Sequence, residues 1–499
     1  MHLIERTLSL LQLLLAVTTL TVVALGVIFF FIDRFRSPDA VRRNYPVLGR
    51  FRTLFTKLGE FFRQYFFAMD REEYPFNRAQ RDWVYHASDD RISNMIAFGS
   101  TRNIELAGTA IFVNSAFPPL DEEASAAAPM VIGEGADQPY VARSIFNISG
   151  MSYGAISRPA VRALAGGAKK AGIWMNTGEG GLSPYHLEAG CDLVYQIGTA
   201  KYGVRDAKGN LDEAKLSAIA GYEQVKMFEI KLSQGAKPGK GGILPGDKIT
   251  PEIAEIRGIE MGHDSYSPNR HAEVHDWDDL LDFVSRVRRV TGKPTGVKMC
   301  IGTADGIRPL FDAVLRRGLD CAPDFITIDG GEGGTGAAPA PLMDLVGMPI
   351  REALPRIADI RAEYGLQHRI RLIAGAKLIT PADVAWALCA GADFVVSARG
   401  FMFALGCIQA LKCNKNTCPT GITTHRKELQ RGLVVENKVE RVATYARVIT
   451  HEVEIIAHSC GVSDPRQLTR GHVRIVQPNG RSKRMDVLFP VPEAQITAA

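Results

Sequence analysis

Phe325-Ile326-Thr327-Ile328-Asp329 runs straight into Gly330-Gly331-Glu332-Gly333-Gly334-Thr335-Gly336, and this junction decides the fold. A short apolar, β-branched run closed by turn residues reads as a buried strand. The glycines behind it let backbone N–H groups come close to an anion such as a phosphate. One glycine-rich turn is weak evidence, since many are only tight corners. Runs of the same kind lie on both sides of it. Upstream come 146–149 into Gly150-Met151-Ser152, 174–176 into Thr177-Gly178-Glu179-Gly180-Gly181, then 193–197, 227–232 and 297–299. Downstream come 371–374 into Gly375-Ala376 and 394–397 into Ala398-Arg399-Gly400. Helical stretches separate them. Strands alternating with helices give a parallel sheet of the α/β class, and eight such units close it into a (β/α)8 TIM barrel. A doubly wound open sheet is the alternative, but it would concentrate its glycines at the first βα turn rather than at late strand ends.

A barrel places its chemistry at the C-terminal ends of its strands, and a cofactor phosphate near the last of them. Asp329, Gly330, Gly331, Gly333 and Gly334, with Gly375, Ala376, Ala398 and Arg399, are therefore the candidate cofactor cradle. Arg399 reads equally as a charged contact to that phosphate or as a surface arginine. Lys231, at the end of the fourth run, is expected to point into the barrel mouth, where an ammonium needs a partner anion. Lys298 is its counterpart on the fifth run. Lys237 and Lys240, in the glycine-rich stretch 235–242, read as solvated. Cys407, Cys413 and Cys418 stand close together ahead of Pro419, a spacing that suits metal or iron–sulfur ligation; three structural cysteines are the alternative.

From 8 to 32 the chain is apolar and uncharged, long enough to cross a bilayer as one helix. A signal peptide has a shorter apolar core and a small-residue cleavage site, so a retained anchor is expected. Arg6 precedes the run, while Arg34, Arg36, Arg42, Arg43, Arg50, Arg52 and Lys57 follow it. The positive-inside rule then puts the body of the chain in the cytoplasm, as a single-pass membrane protein. Next, 51–67 repeats Phe and Leu at helical spacing among Arg, Lys and Glu; it reads either as a helix on the membrane surface or as one packed on the main domain. The stretch 71–140 reads as an irregular lead-in that wraps the barrel.

The net charge of +5 over 499 residues is modest, its surplus lies beside the span, and no basic stripe with interleaved aromatics occurs, which argues against a nucleic-acid partner. The eight cysteines all fall after position 190, which suits a reducing compartment better than a secreted disulfide framework. The expected divisions are an anchor over 1–33, a juxtamembrane and lead-in region over 34–140, the barrel with its cysteine cluster over 141–425, and a C-terminal helical region and tail over 426–499.

The stretch 147–425 resembles the FMN-binding synthase domain of the glutamate synthase family. The resemblance rests on MSYGAIS (151–157), NTGEGG (176–181), FEIKLSQGAKPGKGG (228–242), LPGDKIT (244–250), DGGEGGTGA (329–337) and GCIQALKCNKNTCPTGITTH (406–425), in family order. It implies FMN on the barrel and a [3Fe–4S] cluster on Cys407, Cys413 and Cys418. It also implies formation of 2-iminoglutarate from 2-oxoglutarate and ammonia, and its reduction to glutamate. On that resemblance Lys231 and Gln234 bind the keto acid, and Glu179 stands near its reacting end. Met151, Ser152, Asn176 and Lys298 line the flavin ring. A separate electron donor, such as ferredoxin or a reductase subunit, is expected. Family members take ammonia from glutamine in an N-terminal amidotransferase domain; here a membrane span stands first, so free ammonia is the expected substrate. The segments 267–275 and 297–302 also depart from the family pattern. Two other readings keep the motifs: an FMN/iron–sulfur oxidoreductase on another imine or keto acid, as in N-methylglutamate-type metabolism, and a membrane-tethered electron-transfer subunit.

Overall fold

The computed structural model describes residues 2–89 and 95–492, so the last positions of the expected tail lie outside the described residues. By compactness the chain divides once, into Met1–Arg81 and Asp82–Ala499. The first unit opens with the helix His2–Arg36, which contains the apolar run read from the sequence. Within Ile4–Arg36 an 18-residue window has a mean hydropathy of 2.6 and no buried residue, so the helix is long and apolar enough to cross a membrane. A short helix, Ala40–Asn44, follows, started by the Asp39 carboxylate, which accepts from the N–H groups of Val41 and Arg42 at 2.8 and 3.3 Å. The helix Leu48–Phe62 then runs into a π turn, Arg63–Phe67.

The second unit holds the barrel. Its strands are β1 (Phe146–Ile148), β2 (Met175–Asn176), β3 (Leu193–Ile197), β4 (Val225–Lys231), β5 (Thr295–Cys300), β6 (Phe325–Asp329), β7 (Arg371–Gly375) and β8 (Phe394–Ser397). Neighbours pair in parallel and in chain order, and β8 pairs with β1 to close the ring. Each of the eight expected runs is one of these strands. The first crossover helix, Arg158–Ala171, shows how locally its ends are set: Ser157 caps its start, Pro159 stands in its first turn, and Gly172 ends it in the left-handed region at φ 68°.

The lead-in does more than wrap. Its strands Met130–Ile132 and Tyr140–Ala142 form a hairpin that plugs the N-terminal end of the barrel. Ile132, Tyr140 and Ala142 pack there on Trp174, Met227, Phe325 and Phe394. Each large side chain so buried stabilises by about 1.5–3 kcal/mol. Beyond the last strand, the helix Val435–Ser459 lies against Arg158–Ala171 and completes the helical ring. Contact is close because Gly167 has no side chain: a Cβ there would stand 2.3 Å from Val442 Cγ1. Ala110–Phe112 pairs antiparallel with Val473–Val476, so chain from both sides of the barrel shares one small sheet.

Charges tie the same end of the barrel. Asp324, wholly buried, accepts from Arg288 Nε at 3.0 Å, Arg369 Nη1 at 2.9 Å and the Thr295 N–H at 2.7 Å. It thereby links the start of β5, the residue before β6 and the approach to β7. Asp324→Ala leaves two guanidinium groups without their buried partner and costs about 3 kcal/mol, read as a fall of several degrees in the unfolding temperature of the detergent-solubilised chain.

Candidate active site

Alternate residues of a barrel strand point inward, and in this barrel the middle of the interior is polar. Glu229 on β4 accepts from Asn176 Nδ2 on β2 at 2.8 Å, Gln196 Nε2 on β3 at 2.7 Å and Thr327 Oγ1 on β6 at 2.6 Å. Asn176, Glu229, Thr327 and Lys298 also line a cavity inside the barrel, floored by Trp174 and Phe325. Burial pushes Lys298 down, but Asp329, 3.7 Å from its Nζ, and Glu229 outweigh it and hold the ammonium above its ordinary pKa. Lys298 therefore remains charged beneath the mouth.

The mouth itself is built where β2 and β4 end. Lys231, the last residue of β4, donates to Glu179 Oε1 at 2.8 Å and to the side-chain carbonyl of Gln234. Its partner anion is thus a residue of the protein. Gln234 Nε2 reaches the Gly334 carbonyl at 3.3 Å, the Gly235 N–H donates to Asp329 Oδ2 at 2.9 Å, and the Ala236 N–H donates to the Gly331 carbonyl at 3.1 Å. The loops after β4 and β6 are docked on each other by these three bonds.

That docking overturns one expectation. Lys237 is buried, 3% exposed, and lies beside Lys231 and Glu179; only Lys240 is solvated. Burial and the Lys231 charge push Lys237 down to about 8, against the pull of Glu179. Arg257 is a second buried cation that the sequence reading passed over. It ends the helix Pro251–Arg257 and donates to Ser152 Oγ at 3.2 Å and the Tyr153 carbonyl at 3.1 Å, while its Nε is buried without a hydrogen-bond partner. Burial pushes Glu179 up, but Lys231, Lys237 and Arg257 outweigh it and hold the carboxyl at about 2. Three cations bear on one carboxylate.

The loop Met151–Ile156 after β1 joins this cluster to the cysteines. Besides Arg257, Lys248 reaches it, with Nζ donating to the Ala155 carbonyl at 2.6 Å and the Cys413 carbonyl at 3.3 Å. Ser157 donates through its N–H to the Ile422 carbonyl and through Oγ to the Gly421 carbonyl, both at 2.7 Å, and His425 Nε2 lies 2.9 Å from the Gly154 carbonyl. Within the cysteine loop, Cys407 Sγ accepts from the Gln409 N–H at 3.4 Å and Cys418 Sγ is 3.3 Å from the Thr420 hydroxyl. Burial raises the Cys418 thiol, but hydrogen bonds led by that of Thr420 outweigh it and hold it below its ordinary pKa. No disulfide engages any of the three. Among the described residues no three His, Cys, Asp or Glu side chains form a set able to hold one metal ion.

At the ends of β6 to β8 the cradle is narrower than the glycines suggested. The N–H groups of Gly330, Gly331 and Gly333 are engaged by the carbonyls of Gly375, Met348 and Gly330 at 3.0, 2.9 and 2.8 Å. Among the described residues no hydrogen bond takes the N–H of Gly334, Ala376 or Ala398. Arg399 is half-buried and lies across Gly334, where a Cβ would stand 2.3 Å from its Cζ. Burial pushes Arg399 down to about 10 while Asp329 and Glu332 pull it up. Gly331, Gly333 and Gly336 have the G-x-G-x-x-G spacing, yet they open a loop and not a helix, unlike a dinucleotide fingerprint.

Residues 114–463 match the family model described as a conserved region in glutamate synthase. The chain belongs to the glutamate synthase family. It is an enzyme of the oxidoreductase class, and the barrel mouth is its candidate active site. The glutamate synthase large subunit-like protein YerD of Bacillus subtilis is 38% identical over 92% of this chain and 94% of its own length. An archaeal-type glutamate synthase (NADPH) of Thermotoga sp. is 34% identical over 66% of this chain; the match spans 62% of that enzyme, less than two thirds of it. Among solved structures, a mutant flavocytochrome b2 with benzoylformate aligns over 84% of this chain and 85% of its own at a TM-score of 0.47 and 12% identity.

In this glutamate synthase relative the Glu179 carboxyl lies below its unfolded pKa, so its pairing stabilises the fold fully above about pH 4.5 and is lost as pH falls towards 2. Lys231→Met removes the main partner. The variant is expected to be about 2 kcal/mol less stable at pH 7, and to lose less stability than the parent between pH 4.5 and 2, measured by urea unfolding across that range.

Proposed function

We propose that the chain is a membrane-anchored, flavin- and iron–sulfur-dependent glutamate synthase-like oxidoreductase, which takes 2-oxoglutarate and ammonia and reduces the resulting 2-iminoglutarate to glutamate. The observation that carries this reading is the charge of the mouth. Lys231, Lys237 and Arg257 surround the single carboxylate of Glu179, an excess of two buried positive charges. A buried charge excess needs a counter-charge, and a dianion such as 2-oxoglutarate supplies it. The unpartnered Nε of Arg257 is a donor suited to a carboxylate.

The residues at the strand ends fit FMN. The N–H groups of Gly334, Ala376 and Ala398, free among the described residues, suit its phosphate together with the half-buried Arg399, and Asp329, Gly330, Gly331, Gly333 and Gly375 shape the turn around them. Met151, Ser152, Asn176 and the charged Lys298 would line its ring. When bound, FMN supplies a hydride to the imine carbon. The three unbridged thiols fit a [3Fe–4S] cluster, which delivers single electrons; a cluster spreads its thiolates over several irons, so they need not converge on one point as around a single ion.

The protein's own residues do the rest. Lys231 and Arg257 hold the carboxylates of the keto acid, and Gln234 steadies Lys231. Glu179 stays ionised and accepts from the N–H of the attacking ammonia. Lys237, whose proton leaves near pH 8, can supply the proton needed when water departs and the imine forms. The helix His2–Arg36 crosses the membrane, with the barrel on the cytoplasmic side, and a separate donor delivers electrons.

FMN-loaded, chemically reduced protein held without oxygen is expected to be reoxidised by 2-oxoglutarate with ammonium, yielding glutamate; no reoxidation would sink the assignment. Affinity for 2-oxoglutarate should fall as pH rises through about 8, where Lys237 loses its charge. Lys237→Met should weaken binding about tenfold, through loss of one of the buried positive charges that face the dianion, and flatten that part of the pH profile in a calorimetric titration.

A further inference from the structure

Among the described residues of the first unit, one helix carries an exposed apolar face. Along Leu48–Phe62, Phe51, Leu54, Phe55, Leu58 and Phe62 recur at helical spacing on one side, and Phe55 is 64% exposed. Arg52 falls at one edge of that side, and Arg50 and Lys57, seven residues apart, fall at the other. The π turn that follows adds Phe66 and Phe67, 67% and 71% exposed. Between 34 and 63 there are eight basic residues and two acidic ones. A soluble face of this kind invites aggregation. On an anionic lipid surface the same face is stable: aromatic and leucyl side chains enter the acyl boundary, and Arg52 and Lys57, one at each edge, extend to the headgroups.

A second contact says at what level this helix starts. Asp33 lies in the last turn of His2–Arg36, its side chain 1% exposed. It accepts from Arg50 Nε at 2.7 Å, Arg50 Nη2 at 2.8 Å and the Val47 N–H at 3.0 Å. The Arg50 guanidinium also sits 4.0 Å over the Phe29 ring. The start of the second helix is thereby held beside the end of the first, where the apolar run gives way to charge.

We propose that Leu48–Phe62, together with Arg63–Phe67, lies in the headgroup layer of the leaflet from which His2–Arg36 emerges, and that its ligand is anionic phospholipid. The proposal rests on reading His2–Arg36 as a membrane span. The occupant is a bilayer surface and not another protein, because the cations flank the apolar side at both edges and Asp33 tethers the helix to the span.

The test uses the full chain reconstituted in vesicles of phosphatidylcholine with phosphatidylglycerol. A genetically encoded fluorescent amino acid replaces Phe55, or Leu58 if the first variant does not fold, and Val22 in a parallel sample. Lipids carry a quencher at the headgroup or deep in the acyl chain. The expected result is stronger quenching at 55 by the headgroup quencher, stronger quenching at 22 by the deep one, and weaker quenching at 55 when phosphatidylglycerol is omitted. Deep quenching at 22 with none at 55 overturns the proposal and leaves the span intact. No quenching at either position overturns the span reading and the proposal with it.

Discussion

Inside the barrel one carboxylate collects hydrogen bonds from three strands, and the geometry of the mouth depends on it. Glu229 on β4 draws Asn176, Gln196 and Thr327 together across β2, β3 and β6. A carboxyl group so far from water is tolerated only when its lone pairs are satisfied. With that layer in place, Lys298 keeps its charge above an apolar floor of Trp174 and Phe325, and Asn176 is oriented on both sides, since its Oδ1 accepts from the Gly178 N–H at 2.9 Å. The turn carrying Glu179 begins at that same bond.

Above this layer the site is a matter of loops braced on one another. Asp329 receives the Gly235 N–H and faces Lys298, so one side chain belongs to both halves of the mouth. The loop after β1 is held by Arg257 from the Glu179 side and by Lys248, Ser157 and His425 from the cysteine side. A disturbance in either neighbour reaches the other through these bonds. Such bracing suits a site in which a keto acid, a flavin and an iron–sulfur centre would have to keep fixed spacings.

Much of this was legible beforehand because the relevant signals are local. Each barrel strand is a short apolar run with its own turn residues, so all eight could be read one at a time. Glu179, Lys231 and Gln234 come together at the mouth because strand ends in a closed barrel converge. Lys237 was misread since a lysine among glycines normally faces water; nothing in its neighbours reveals that the loop folds back through the Ala236–Gly331 bond. Arg257 was passed over because a basic residue in the last turn of a helix is ordinary, favoured by the helix dipole alone. Glu229 did leave a signal: it stands two residues before Lys231, on the same inward face of β4.

By itself the sequence determined the barrel, the apolar N-terminal helix, the cysteine spacing and the family, because hydrophobic period, glycine placement and motif order are written along the chain. Only the tertiary structure decided which charges meet and which N–H groups remain available. Gly330, Gly331 and Gly333 look like one continuous cradle with Gly334, yet long-range backbone bonds engage Gly330 and Gly331, a local turn engages Gly333, and among the described residues Gly334, Ala376 and Ala398 are left. Likewise the three cations around Glu179 come from a strand end, a loop and a helix terminus. Pairing and burial depend on contacts between residues far apart in sequence, and local composition holds no record of them.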